Sequence, residues 1–228
     1  MKKVFKLYHG SPYVVERPTL AKGRPDNDYG PGFYCTEDIE MAREWACKGK
    51  EPPAKVNAYE LNACGLKVLD LSSEPYTVLN WIAVLLANRR LDLDEGITSQ
   101  VRDYLIANFM PPVAEADVVI GYRADDSYFR YAESFVGNGL HLGGLESAMR
   151  LGRLGIQIAL VSEKAFSALR FTGSENVNWG DYHGRYVQRD RTARKDWSES
   201  VKKAAVPIDA VFAMDILRRG LESGGHGL

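Results

Sequence analysis

The pattern of apolar and polar positions predicts strands near both ends of the first 172 residues. The stretch "VFKLYHG", residues 4–10, alternates apolar and polar positions before a glycine, which is typical of a half-buried strand that ends at a turn. Short apolar runs predict further strands in "VNAYEL", "KVLDL", "ADVVIG" and "QIALV". The chain therefore contains at least five predicted strands.

Helical patterns lie between these strands. Apolar residues from Ile39 to Trp45 recur at helical spacing after Thr36, which we predict to be the N-cap. Pro75 is predicted to open an apolar helix, and a second helix follows over about residues 98–109. Helices are also predicted in "SYFRYAESFV", "LESAMRLGR" and "SEKAFSAL". Strands around a helical insert predict an α+β fold.

Length and charge suggest one domain with an extension. A chain of 228 residues with 45% hydrophobic composition can bury one good-sized core. We predict a domain over residues 1–181 and a charged C-terminal extension over 182–228, packed on or trailing from that domain. Lys plus Arg (29) balance Asp plus Glu (30), so the whole chain shows no charge excess for nucleic acid or membrane. Residues 185–203 carry seven basic and three acidic side chains, which fits a solvated helix face or a patch for a polyanion.

The cysteines and the lengths of the apolar runs indicate in which cellular compartment we expect the protein. Three cysteines without a CxxC pair argue against a disulfide framework and against a zinc site, so we expect no metal. No run approaches about 18 apolar residues, so no membrane span is predicted. We expect a cytoplasmic protein, or an effector that a secretion system injects without a cleaved signal.

Candidate chemistry begins at "LYHGS". His9, Gly10 and Ser11 place an imidazole, a backbone open to close approach and a hydroxyl within three residues, a set that suits a ribose or an amide. The alternative is a strand-end histidine bonded to a neighbouring carbonyl.

Two further segments add to this set. In "YGPGFYCTED", Gly32 and a second glycine permit turns that bring Phe33 and Tyr34 to a cleft edge, where an aromatic face stacks on a flat heterocycle. The alternative is a hairpin with core aromatics. Gln157 is the polar residue at the head of "QIALV", and it offers an amide for hydrogen bonds or simply caps the strand. Arg123 and Arg130 follow another strand and are candidates for phosphate contacts or for an exposed helix start.

In this order the motifs resemble the ADP-ribosyltransferase superfamily, in its His-Tyr-Glu branch that includes diphtheria toxin and the poly(ADP-ribose) polymerases. The chain is also similar to an uncharacterised bacterial family of that superfamily, over approximately residues 4–172. The resemblance implies a split pair of antiparallel sheets with a helical insert, and NAD as substrate in the cleft between the sheets. It also implies a toxin or effector setting, with an antitoxin or immunity protein as partner.

The resemblance implies roles for single residues. His9 would hydrogen-bond a hydroxyl of the adenosine-side ribose, the Gly10 backbone would hold the nicotinamide amide, and Tyr34 would stack on the nicotinamide ring. Ser11 would support the turn or the cofactor. The implied catalytic residues are His9, Tyr34 and Gln157, and the implied cofactor-binding residues are Gly10, Ser11, Gly32, Phe33 and Tyr34.

The chain departs from the branch at the third position, where active members usually have a glutamate and this chain has Gln157. A neutral amide can orient a hydroxyl but lacks the negative charge, which argues against chain-building activity. We expect transfer of one ADP-ribose to a protein or nucleic-acid acceptor, helped by a carboxylate for which Asp125, Asp126 and Glu163 are candidates. The alternatives are an NAD glycohydrolase and a catalytically degenerate module that binds NAD or ADP-ribose.

Overall fold

Two separate β-sheets and a set of helices form an α+β fold, as the prediction stated. The computed structural model describes residues 3–22, 24–89, 96–124, 126–151, 155–203 and 206–221. Within these ranges it contains seven strands and eight α-helices. One sheet has three strands and the other has four.

The first sheet is antiparallel, with β3 between β1 and β7. Its strands are β1 (Val4–Ser11), β3 (Lys55–Asn62) and β7 (Leu169–Asn176). The second sheet has the order β2-β6-β5-β4. Its strands are β2 (Phe33–Cys35), β4 (Val68–Asp70), β5 (Val118–Tyr122) and β6 (Ile156–Leu160). The pair β4–β5 is parallel, so this sheet is mixed and not antiparallel as expected.

The two sheets touch at one edge. Tyr8 of β1 and Thr36 exchange backbone hydrogen bonds of 2.8 and 3.0 Å just beyond the end of β2. An apolar layer fills the space between the sheets, with Leu7 and Leu61 from the first sheet and Ile158 and Leu160 from the second. This layer leaves the other face of the four-stranded sheet for the helices.

Eight helices pack on the two sheets within the described ranges, most of them on that other face and the first on β1 and β3. They are α1 (Ile39–Ala46), α2 (Val78–Asn88), α3 (Ile97–Phe109), α4 (Asp126–Val136), α5 (Leu142–Leu151), α6 (Glu163–Ser167), α7 (Trp179–Lys203) and α8 (Ala213–Arg219). The main core lies under α2, whose residues from Leu79 to Leu86 are buried among Leu105, Phe135 and Ile216 of three other helices. Burial of this size accounts for most of the favourable free energy of folding.

Two helix starts differ from their predictions. Asp38, not Thr36, is the N-cap of α1, because its carboxylate accepts hydrogen bonds from Glu40 N and Met41 N. Thr36 bridges to β1 through its backbone, and its hydroxyl accepts from Asp38 N at 3.1 Å. Helix α2 begins at Val78 after Thr77, so Pro75 lies before the helix and does not open it.

The C-terminal segment packs on the rest of the chain. Helix α7 lies against α1, where Trp179 Nε1 donates to Gly49 O at 3.1 Å and His183 Nδ1 donates to Cys47 O at 2.9 Å. Arg189 pairs with Glu44 at 3.0 Å. Residues 204, 205 and 222–228 of the predicted extension lie outside the described ranges. In the described part of the chain, no helix is both long and apolar enough to cross a membrane.

Candidate functional site

A pocket of about 180 Å³ opens between α1 and the helix-facing side of the four-stranded sheet. Its lining residues come from five parts of the chain and are Asn27, Asp28, Tyr34, Trp45, Lys48, Arg89, Arg123, Ala124 and Gln157. Tyr34 and Gln157 were predicted as site residues from separate motifs, and Arg123 was named as a candidate for phosphate contacts or an exposed helix start.

Strand register explains why Tyr34 and Gln157 meet. Tyr34 of β2 pairs with Ala159 of the neighbouring β6, and Gln157 lies two residues from Ala159 on the same strand. Because side chains alternate between the faces of a sheet, Tyr34, Ala159 and Gln157 share one face. The intervening residue, Ile158, points into the apolar layer on the other face.

His9 connects β1 to this site through the backbone of Tyr34. Its Nδ1 lies 2.7 Å from Tyr34 O, and its ring lies 4.5 Å from the ring of Phe33. A carbonyl oxygen only accepts, so Nδ1 carries the proton and Nε2 of the neutral ring is left as an acceptor. Burial lowers the pKa of His9, against the hydrogen bond to Tyr34, which raises it. His9 is therefore neutral at pH 7.

Gly10 brings β1 close to α1. A Cβ at this position would lie 2.1 Å from Ala42 O and 2.9 Å from Cβ of Trp45, so no side chain fits. Tyr8 directs its backbone groups toward Thr36, and the alternation along an antiparallel strand directs those of Gly10 to the same edge, away from β3. The Gly10 backbone therefore faces the edge of β1 where the two sheets touch, next to Trp45 of the pocket wall.

Both the hydroxyl and the ring of Tyr34 make contacts that hold the side chain in place. Its hydroxyl donates to Gly30 O at 2.6 Å and accepts from Tyr29 N at 3.0 Å. Its ring lies parallel to that of Tyr29, with centroids 6.4 Å apart. Burial raises the pKa of Tyr34 far above its ordinary range, so the hydroxyl stays protonated. The ring is a fixed, neutral wall of the pocket.

Gln157 and Asp28 form a buried hydrogen-bonded pair at the base of the pocket. Gln157 Nε2 donates to Asp28 Oδ2 at 2.8 Å and lies 3.4 Å from Tyr122 O. Asp28 Oδ2 also accepts from Ala124 N at 2.9 Å, and Oδ1 lies 3.3 Å from Arg89 Nη1. Sequence reasoning missed Asp28, because the irregular segment before "YGPG" has no periodicity that would place it.

Opposing effects act on the Asp28 carboxyl. Burial raises its pKa, and the hydrogen bonds from Ala124 N and Gln157 together with the charges of Arg89 and Arg123 oppose the rise. Each of its contacts in the described structure is a donor, and a protonated carboxyl would need an acceptor. The geometry therefore fits an ionised Asp28.

Trp45 and Arg123 form the opposite wall. The Arg123 guanidinium lies 5.1 Å from the centroid of the Trp45 ring, within the range of cation–π attraction. Trp45 Nε1 is buried without an acceptor among the described residues. Trp45 is the last of the helically spaced apolar residues that follow the glycine-rich loop, and this position is the signal that could have identified it.

Other predicted residues lie away from the described pocket wall. Ser11 Oγ accepts from Tyr13 N at 3.0 Å and so supports the turn after β1. Phe33 packs in the apolar layer, edge-on to Tyr59. Gly32 permits close approach, since a Cβ there would lie 2.7 Å from Leu160 O.

The carboxylates predicted to assist Gln157 are not seen beside it. Glu163 is exposed beyond the opposite end of β6. Asp125 and the side chain of Asp126 lie outside the described part of the structure. Within that part, no three His, Cys, Asp or Glu side chains are grouped so that they could hold a metal ion.

A wider hollow of about 810 Å³ adjoins the pocket and shares Asn27, Lys48 and Arg89 with it. Arg24 adds a further positive charge and lies 3.9 Å from the carboxylate of Asp26 in the same hollow. The Arg89 guanidinium lies 4.7 Å from the centroid of the Phe129 ring. The hollow therefore offers cations and an aromatic face next to the smaller, deeper site.

Fold and site together define an α+β protein with a charged, aromatic-walled pocket beside the junction of two sheets. The chain belongs to a family of proteins of unknown function, DUF3990, which matches it over residues 5–171. No curated protein matches the chain, and no solved structure matches it. The family match contains every residue that lines the pocket.

Proposed function

We propose that this protein binds NAD in the pocket, cleaves the bond between nicotinamide and ribose, and transfers ADP-ribose to a protein or nucleic-acid acceptor. One observation carries the proposal: motifs that are far apart in the sequence meet at one place. His9 bonds to the backbone of Tyr34, Gly10 lies against Trp45, and Tyr34 and Gln157 line the same cavity.

The pocket suits a flat heterocycle with an amide. Tyr34 and Trp45 offer aromatic faces, and ring stacking favours a planar, electron-poor ligand. At the edge of β1 beside Trp45, the Gly10 backbone presents an N–H and a C=O that together match a carboxamide. A volume of about 180 Å³ admits one ring and leaves the rest of a dinucleotide to the adjoining hollow.

Charge in the hollow suits a diphosphate. Arg89 reaches both cavities, and Arg24 and Lys48 lie along the larger one. Arginine and lysine are the side chains that bind phosphate most strongly in proteins. His9, neutral and with Nε2 as acceptor, suits a ribose hydroxyl at the junction.

In the proposed reaction the bond between C1′ of the ribose and the nicotinamide nitrogen breaks. The electron pair of that bond leaves with nicotinamide, which becomes neutral, while positive charge develops on the ribose. Gln157 Oε1 accepts from a ribose hydroxyl and stabilises this charge. A nucleophile of the acceptor then bonds to C1′ and releases its proton to solvent. The reaction needs no strong base. Much of the rate enhancement therefore comes from holding NAD and the acceptor in a fixed orientation.

The test is nicotinamide release from NAD labelled on its adenylate half, in cell lysate. We expect label to appear on a protease-sensitive or nuclease-sensitive species, and His9→Ala and Gln157→Ala each to lower release at least tenfold. His141→Ala and Gln100→Ala, which change the same residue types outside the pocket, should keep wild-type rates. Release without transfer of label would identify a glycohydrolase.

A binding module without catalysis is the second candidate, favoured by the neutral Gln157 where a carboxylate would stabilise positive charge. It predicts that NAD raises the melting temperature, since a ligand that binds only the folded state stabilises it, while no nicotinamide is released. Absence of both release and a thermal shift would overturn the two candidates together.

A further inference from the structure

We infer that Asp28 is a positioning residue for Gln157 and that its carboxylate supplies the negative charge that position 157 lacks. This inference rests on the proposed function. It is carried by the contact of 2.8 Å between Gln157 Nε2 and Asp28 Oδ2 at the base of the pocket. Both residues are buried, at 4% and 6% exposure.

The first step concerns the orientation of the Gln157 amide. Its NH₂ group faces two acceptors, Asp28 Oδ2 and Tyr122 O, and an amide oxygen would be repelled by both. The nitrogen therefore points inward and Oε1 is left for a ligand. Among the described residues, no donor bonds to Oε1. Asp28 thus determines that the pocket presents an acceptor at this point.

The second step concerns charge transmitted through the hydrogen bond. A carboxylate that accepts from an amide N–H polarises the amide, and hydrogen bonds in such a chain strengthen one another. Gln157 Oε1 becomes a stronger acceptor than that of a glutamine in water. A neutral side chain backed by a buried carboxylate then favours the positive charge that develops on ribose.

The third step concerns the neighbouring cations. Arg89 pairs with Asp28 at 3.3 Å, and Arg123 lines the same pocket and acts on the same carboxylate. Without Asp28, these two guanidinium groups would oppose a developing cation. Asp28 therefore offsets the positive charge of Arg89 and Arg123 in the site. Its removal should raise the free energy of the transition state more than it weakens the binding of NAD.

The test combines two readouts on the full chain. In protein labelled with ¹⁵N-glutamine, only three side-chain amide pairs are visible, from Gln100, Gln157 and Gln188. We expect the Gln157 amide protons of the wild type to exchange slowly with water. Asp28→Asn should change their chemical shifts and speed their exchange at least tenfold. An unchanged Gln157 pair would overturn the positioning role, independently of any turnover.

The second readout is the kinetics of nicotinamide release. Asp28→Asn should lower kcat between tenfold and a hundredfold and leave KM within threefold. The double change Asp28→Asn with Gln157→Glu, which moves the charge to position 157, should recover at least tenfold of that loss. Asp117→Asn is the matched control, because Asp117 is also a buried carboxylate bonded to Ser162 and Lys67 but lies outside the pocket. It should lose stability and keep kcat.

The outcomes separate this inference from the proposed function. If the wild type releases nicotinamide and Asp28→Asn has the same kcat, only the role of Asp28 is overturned. The same holds if Asp28→Asn is slow but the double change gives no recovery, because the loss would then be structural. If the wild type releases no nicotinamide, the proposed function and the charge-supplying role of Asp28 are overturned, and the amide spectrum alone decides whether Asp28 positions Gln157.

Discussion

Around the start of β6 the two faces of the four-stranded sheet differ in chemical character, although the same strand supplies both. On the face toward the other sheet, Val118, Ile120, Ile158 and Leu160 are buried with no polar side chain among them. On the face toward the helices, Val119 and Ala159 pack into the main core, whereas Gln157 lies beside a polar cavity and bonds to a buried carboxylate, which forms a polar patch. One residue along β6 separates a pure packing environment from a hydrogen-bonded one.

This difference shows what each face contributes. Apolar burial lowers the free energy of the folded chain directly, whereas a buried amide or carboxylate must first recover its desolvation cost through hydrogen bonds. The polar patch around Gln157 therefore contributes less stability per buried group than the apolar layer does. Polar groups that are buried, bonded and arranged around a cavity point to binding or chemistry.

The largest expected effect is on the apolar face. Ile158→Ala removes most of a side chain that is 2% exposed and leaves a cavity between the sheets. We expect a loss of about 2–5 kcal/mol in the free energy of unfolding, measured by chemical denaturation. Val4→Ala, at a position that is 50% exposed on β1, should change it by less than about 0.5 kcal/mol. Equal losses in the two variants would contradict the assignment of this layer as core.

The next effect is at the contact between β1 and α1. Gly10→Ala places a methyl group 2.1 Å from Ala42 O, so strand and helix must separate. We expect a loss of about 1–3 kcal/mol in the free energy of unfolding, together with weaker NAD binding because Trp45 moves with α1. The control is Gly184→Ala, since a methyl group in that part of α7 meets no atom within 4 Å and alanine favours helix. Its stability should stay the same or rise.

At the polar patch around Gln157, Tyr34→Phe tests the hydroxyl of Tyr34 separately from its ring. The change removes the bonds to Gly30 O and Tyr29 N and should cost about 0.5–1.5 kcal/mol of stability, measured by denaturation. The ring remains, so calorimetry should find NAD affinity within about threefold of wild type, whereas Tyr34→Ala should lose it. Wild-type affinity in Tyr34→Ala would remove the ring from the proposed binding site.

The smallest effect is a dependence on pH. The pKa of His9 in the folded protein lies below its ordinary value of 6.5, so the unfolded chain takes up this proton first on acidification. The stabilisation is complete above pH 6.5 and is lost as the pH falls through the folded pKa. The difference in unfolding free energy between wild type and His9→Gln should therefore shrink between pH 7.5 and pH 5. A difference that grows on acidification would contradict the buried, neutral state of His9.

Regular patterns in the sequence identified most of the fold. The strands β1, β5 and β6 were predicted because their apolar residues follow the period of a strand or form short runs. The strand β7 was missed, since most of its residues are exposed and only its pairing with β3 defines it. Thr36 has the chemistry of an N-cap, but its hydroxyl accepts from Asp38 N and Asp38 caps the helix instead.

The candidate site could be predicted only where a motif marks it. His9, Tyr34 and Gln157 stand at strand ends or in a glycine-rich loop, and these positions are visible in a linear pattern. Asp28 lies in an irregular segment, and its contact with Gln157 depends on how that segment folds back over β6. Local chemistry identifies such a residue only after the chain has brought distant segments together.

The packing of α7 on α1 bears on how this family should be delimited. The matched region ends at residue 171, inside β7 and before the helix that contacts Gly49, Cys47 and Glu44. A protein cut at that residue would lose part of a sheet and the support behind the helix that carries Trp45. The boundary of sequence similarity therefore differs from the boundary of the packed structure, and expressed fragments should extend through α7.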